Sequence, residues 1–162
     1  MIDPLNTIMY GDLVYNHRNW ICPVVGSDYG HIAVIAHHYG ESVYTRDLVS
    51  PIPMSDDILS QLGWKEVKKG DKGYCVELCC YAKQFKHPFY TTVLSLGFNE
   101  TTHLYWIMNG NIIIRYVHDL QHVLLHTVQD RIEWDEEQGF HIVIKEFGTD
   151  KEGLVKFKNQ QD

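Results

Sequence analysis

Three histidines, His118, His122 and His126, recur at steps of four in the run Tyr116-Val117-His118-Asp119-Leu120-Gln121-His122-Val123-Leu124-Leu125-His126. On a helix that spacing sets them along one face, each about 40° from the last. Histidines one turn apart make a good bidentate pair for zinc or nickel, so His118 and His122 are the candidate metal ligands. His118 and His126 are about 12 Å apart along the axis, too far for one metal with ligand bonds of about 2.1 Å. A third ligand would have to come from elsewhere. Asp119 follows His118, so the helix lacks the HExxH arrangement in which a glutamate acts as base. On the helical wheel Val117, Leu120, Val123, Leu124 and Val128 form the apolar face, with His122 and His126 nearly opposite and His118 on its flank. The favoured reading is therefore a solvated stripe, with His118 hydrogen-bonding to a neighbouring loop or barrel.

Other residue types offer less chemistry. His37 and His38 point to opposite faces of any strand and read as a strand end entering the Tyr39-Gly40 turn. The cysteines are Cys22, Cys75, Cys79 and Cys80; their spacing fits neither CxxC metal pairs nor a secreted disulfide framework. In a strand Cys75 and Cys79 share a face with Cys80 opposite, and all are read as reduced, mostly buried thiols. No GxSxG elbow, no cysteine at a helix N-terminus and no glycine-rich phosphate cradle is present. Asp56-Asp57 reads as helix-start chemistry, and Glu133–Glu137, with Trp134 among them, as a solvated turn. The one basic bias is Lys65, Lys68, Lys69, Lys72, Lys83 and Lys86, interleaved with Tyr74, Tyr81, Phe85 and Tyr90. Such a mixture can stack bases and contact phosphates, but the net charge of −7 works against phosphate backbones.

The elements that must position these residues are legible in the pattern. The 162 residues, 44% hydrophobic and 12% aromatic, can bury a sizeable core in one domain or two small ones. Residues 10–50 alternate short apolar runs, Leu13–Tyr15, Trp20–Val25, His31–Ala36 and Ser42–Tyr44, with turn chemistry. Pro51-Ile52-Pro53 forces an extended boundary. Ser55 then stands at a helix N-cap, Ile58, Leu59 and Leu62 give an apolar stripe, and Gly63 stands at the C-terminal stop. Strands are expected at Trp64–Val67, Tyr74–Tyr81, Phe89–Leu96, His103–Met108 and Asn111–Arg115, the last two joined by an Asn109-Gly110 turn. The histidine helix near 116–128 and a strand at Gly139–Phe147 follow. The start, Met-Ile-Asp-Pro-Leu-Asn, has no signal-peptide character, and no run approaches the roughly 18 apolar residues of a membrane span.

Three blocks carry a resemblance: Gly11-Asp12-Leu13-Val14, Ser50–Leu59 with Leu62-Gly63-Trp64, and Tyr116-Val117-His118-Asp119-Leu120-Gln121. The chain resembles a group of small proteins of gut Bacteroidetes prophages and mobile elements. That group carries a short IGNxV strand, then EPIPLTEEIL with CGF, then YVHxLQNLYFALTG, and it has no established function. The resemblance spans most of residues 8–128, with the second and third blocks the specific ones. It departs after Gln121: His122 stands in place of Asn, His126 in place of a small residue, and the Leu-Thr-Gly ending is missing. It implies a fold and a genomic habitat, and no catalytic residue.

The expectation is an α+β protein: a small SH3-like β-barrel at 1–50, then an α+β unit at 51–147 with a short and a longer helix on an antiparallel sheet, and a polar, flexible tail at 148–162. The expected function is a non-enzymatic binding or adaptor module of a prophage or mobile element, cytoplasmic, without cofactor, engaging a protein partner. Tyr116, His118 and Gln121 are the candidate binding-surface residues. The alternatives are a nucleic-acid-binding accessory protein using the barrel and the Lys65–Lys86 region, and a metal-dependent enzyme using His118 and His122.

Overall fold

The computed structural model describes residues 3–36, 40–78, 80–90, 94–108 and 110–144. The expectations for His37-His38, Cys79, Asn109 and the tail from residue 148 lie outside them. The chain opens with β1 (Leu13–Tyr15), β2 (Ile21–Ser27), β3 (His31–Ala36), β4 (Gly40–Thr45) and β5 (Ser50–Pro51). Helix α1 (Asp56–Leu62) precedes β6 (Lys65–Val67), β7 (Lys83–Lys86), β8 (Leu96–Asn99), β9 (Leu104–Ile107) and β10 (Ile112–Ile114). Helix α2 (Val117–Thr127) and the hairpin β11 (Arg131–Asp135) and β12 (Gly139–Val143) follow. The fold is α+β, predominantly strand.

The chain forms two units, and they are not consecutive. One comprises Met1–Pro53 with Tyr116–His141, the other Met54–Arg115 with Ile142–Asp162. A split near residue 50 into a barrel and everything after it is therefore not the observed division. The physical reason is hydrogen bonding between segments far apart in sequence: Val117 N donates to Ile52 O, and Pro53 bridges Tyr116 in antiparallel fashion.

In the first unit the sheet is wholly antiparallel, in the order β4-β3-β2-β1-β5. Period-two alternation sends Ile32, Val34 and Ala36 inward to meet Val14, Cys22 and Val24, while His31 and Ile35 face out. A one-turn 3-10 helix, Arg46–Leu48, leads from β4 to β5. The sheet is not closed into a barrel: β4 and β5 are its edges, and no ladder joins them among the described residues. β5 is two residues long, and Pro51 and Pro53 lack the N–H groups that further pairing needs.

The second unit is an antiparallel meander in the order β10-β9-β8-β7-β6. Helix α1 follows its local signals. Ser55 Oγ accepts from Ile58 N at 3.2 Å, and Gly63 stops the helix at φ +103°. Ile58, Leu59 and Leu62 are buried, and Trp64 Nε1 donates to Leu94 O at 2.9 Å. The strand expected at Tyr74–Tyr81 is not formed as such, and the one expected at Phe89–Leu96 lies partly outside the described residues. The chain instead makes a 3-10 turn at Val76–Leu78, and the ladder uses β7 and β8. The cause is Gln84, fully buried on β7: its Oε1 accepts from Cys75 N, and its Nε2 donates to Cys75 O and Leu78 O. A side chain takes the backbone groups that a strand would have offered to a neighbour.

Candidate functional site

The YVHDLQH run folds as α2, and nearly every residue of it has a structural task. Asp119 Oδ2 accepts from Tyr116 N at 2.9 Å at the helix start. Val117, His118, Leu120, Gln121 and Leu124 are buried. The buried face is thus rotated from the purely apolar stripe to include His118 and Gln121, because both find polar or aromatic partners inside the unit. Gln121 Oε1 accepts from Leu13 N at 2.8 Å, and its Nε2 donates to Gly11 O at 3.0 Å and Ile132 O at 3.1 Å. The helix, the entry to β1 and β11 are held by one side chain. Gln121 is accordingly not an exposed binding residue, and His118, 1% exposed, is not one either. Tyr116 is half-buried, its ring stacked on His118 at 5.5 Å and 5°.

His122 does not lie in solvent opposite the core. Its Nε2 donates to Asp12 Oδ2 at 2.6 Å, and the same oxygen accepts from Met9 N at 2.7 Å. Asp12 is buried, its backbone held by Val24 N. The hydrogen bond to Asp12 raises the His122 pKa above the ordinary imidazole value, against the opposing effect of burial. His118 shifts the other way. Burial lowers its pKa, and the negative charges of Asp119 and Asp12 only partly offset this. Its Nδ1 is buried without a hydrogen-bond partner. The two rings sit edge to face at 5.7 Å, one favouring the charged state and the other the neutral one. His126 is exposed, as a solvated stripe requires.

This arrangement joins Asp12, His122, His118 and Tyr116, but its geometry serves packing. Among the described residues no group of three or more His, Cys, Asp or Glu is placed to hold a metal, so His118 and His122 gain no third ligand there. Nor is either ring hydrogen-bonded to a Ser, Thr or Cys among them. Of the described cysteines Cys22 is buried, and burial raises its thiol pKa, whereas Cys75 is half-buried and Cys80 exposed. Among the described cysteines the expectation of buried thiols holds for Cys22 alone, because Cys75 and Cys80 lie in surface turns.

The lysine-rich region is also engaged. Lys83 pairs with Asp56, whose other oxygen accepts from the Tyr105 hydroxyl. Burial alone would raise the Asp56 pKa, but these two hydrogen bonds outweigh it and lower it. Lys68 pairs with Glu66. Phe85 and Tyr90 are buried, and the Tyr81 ring covers Gly97. These rings are core or cover, not an open stacking platform.

The first unit also bears a groove that sequence reasoning missed. Two depressions, of about 110 and 270 Å³, share Tyr10, Gly11, Arg131, Ile132 and Glu133. The larger is walled by Pro23, Val25 and Ile35 from the outer face of the sheet and by Trp134. Tyr10 is 80% exposed. Both backbone carbonyls that Gln121 holds, those of Gly11 and Ile132, belong to lining residues, so the helix motif holds this groove's walls in place. The available signal was Tyr10 just before β1 and Trp134 among acidic residues, the latter an aromatic in a segment otherwise read as a solvated turn. The chain matches no protein-family model, and no curated protein or solved structure is significantly similar to it.

Proposed function

We propose that the protein is a non-enzymatic binding module of a prophage or mobile element, acting in the cytoplasm, and that it engages a protein partner through the groove beside Tyr10. The observation that carries this reading is the groove itself: an apolar wall of Pro23, Val25 and Ile35, flanked by Tyr10 and Trp134 and rimmed by charge. Aromatics beside an apolar floor with a polar rim are the composition of protein-recognition surfaces. An SH3-like reading of the first unit is supported by five antiparallel strands, the 3-10 turn before β5, and the return of β5 onto β1. The resemblance of Tyr116–Gln121 to the mobile-element group supports the setting. No helix among the described residues is long and apolar enough to cross a membrane.

The test is affinity capture from host lysate with the wild-type chain, Ile35→Asp and Val76→Asp. Val76 lies in the other unit and is 67% exposed, so it controls for the added charge. A partner retained by wild type and Val76→Asp but lost by Ile35→Asp supports the reading. Equal retention by all three removes the groove from it.

A further inference from the structure

Charge is sorted between the two units. Residues 1–53 and 116–141 carry eleven Asp and Glu against three Arg, and no Lys at all. Residues 54–115 and 142–162 carry ten Asp and Glu against eleven Lys and Arg. The net charge of the whole chain therefore resides in the unit that bears the groove.

The acid also lies where an occupant of the groove would meet it. Glu133 lines the groove. Asp135 follows it two residues along β11, on the same strand face. Glu41 is the register partner of Ile35, directly across from the groove's apolar wall. Among the described residues Arg131 is the one Lys or Arg in the lining; it lies 3.4 Å from Glu133 with both side chains exposed to solvent, so the pair is open to exchange. Tyr10 and Trp134 also line the groove. Aromatic faces with nearby carboxylates suit guanidinium and ammonium groups, which gain from both ring and charge. An acidic or phosphate-bearing partner would instead enter a repulsive field.

Building on the proposed binding role, we infer that the occupant of this groove is an extended, arginine- or lysine-bearing segment of the partner protein. Its apolar stretch lies on Pro23, Val25 and Ile35. Its cations stack on Tyr10 or Trp134 and pair with Glu133, Asp135 and Glu41.

The experiment is a titration of the isotope-labelled full chain with three short peptides of alternating residues: Arg–Pro, Ser–Pro and Glu–Pro. Proline keeps each extended, so that they differ only in the side chain that alternates with it: cationic, neutral or anionic. The expected result is binding of Arg–Pro with amide shifts at Tyr10, Ile35 and Glu133, and none for Glu–Pro. Affinity should fall about tenfold in Tyr10→Ala and again with rising salt. The doubly neutralised variant Glu41→Gln/Glu133→Gln should show a flatter salt dependence. Tyr10 and both glutamates lie at the surface, and unchanged amide spectra elsewhere report that these variants fold. Equal binding of Arg–Pro and Ser–Pro overturns the basic partner while leaving the binding role intact. Binding of Arg–Pro that Tyr10→Ala does not weaken overturns the assignment to this groove. If no peptide binds, the inference falls. The binding role then survives only if Ile35→Asp still removes a partner in the capture experiment.

Discussion

At the scale of single residues, Gln121 and the histidine pair are the places where polarity is built into the core. Gln121 satisfies one backbone N–H and two carbonyls from three separate segments. Gln121→Leu keeps the volume roughly but leaves those groups unpaired, a loss of about 2–4 kcal/mol of stability read by urea denaturation. The histidines predict a pH signature. The folded-state pKa of His122 is raised, so its contribution is fully present below the unfolded value near about 6.5 and is lost as pH rises through the folded value. The folded-state pKa of His118 is lowered, so its contribution is present above the unfolded value and is lost as pH falls toward the folded one. The two slopes oppose each other. His122→Gln should leave stability that rises with pH, and His118→Leu stability that falls with it, from about pH 5 to about pH 8. Denaturation midpoints across that range check both signs.

At the scale of elements, α1 and its C-terminal stop form one device with His87. Phe89 N donates to His87 Nδ1 at 3.1 Å, so Nε2 bears the proton and donates to Leu62 O at 2.9 Å, satisfying a carbonyl at the helix end. A Cβ on Gly63 would stand 2.6 Å from that same Nε2, on a residue at φ +103°. Gly63→Ala should therefore cost about 2 kcal/mol or more, from left-handed strain plus displacement of His87. The cost should be smaller in a His87→Ala background, and a double-mutant cycle by thermal or urea unfolding measures the coupling. The cap and the stop of α1 were legible because they are local: Ser55 and Gly63 act on backbone within one turn. The 74–81 segment was not, because its fate is decided by Gln84, whose side chain competes with strand pairing and leaves no mark in the segment's own pattern.

At the scale of the molecule, the first unit is completed by residues that arrive about sixty positions after its first segment ends at Pro53. Val117, Leu120 and Leu124 are fully buried there, and Gln121 ties them to β1. A fragment of residues 1–53 alone is expected to be unfolded, with a collapsed amide spectrum. Adding a peptide of residues 116–141 in trans should restore native-like dispersion. A well-dispersed spectrum from 1–53 alone would show that the sheet is self-sufficient and that α2 is an accessory to it. The same return of the chain concentrates the acid. Divided near residue 50, the sequence has two mildly acidic parts; divided as it folds, it has one strongly acidic unit and one nearly neutral unit. Partner chemistry is thus a property of the tertiary grouping.

The sequence by itself determined the short-range features: the apolar alternation of β1 to β4, the capped helix α1, the amphipathic run that becomes α2, and the absence of a nucleophile elbow or phosphate loop. Each depends on residues within a few positions of one another, where periodicity and backbone chemistry act directly. Only the tertiary structure decided that Asp12 would claim His122, that Gln121 would clamp three segments, and that Tyr10, Ile35 and Trp134 would face one groove. Those partners are separated by up to 124 positions in the chain. Hydrogen bonds and burial between them form only once the backbone has returned, and a linear pattern holds no record of which distant groups will meet.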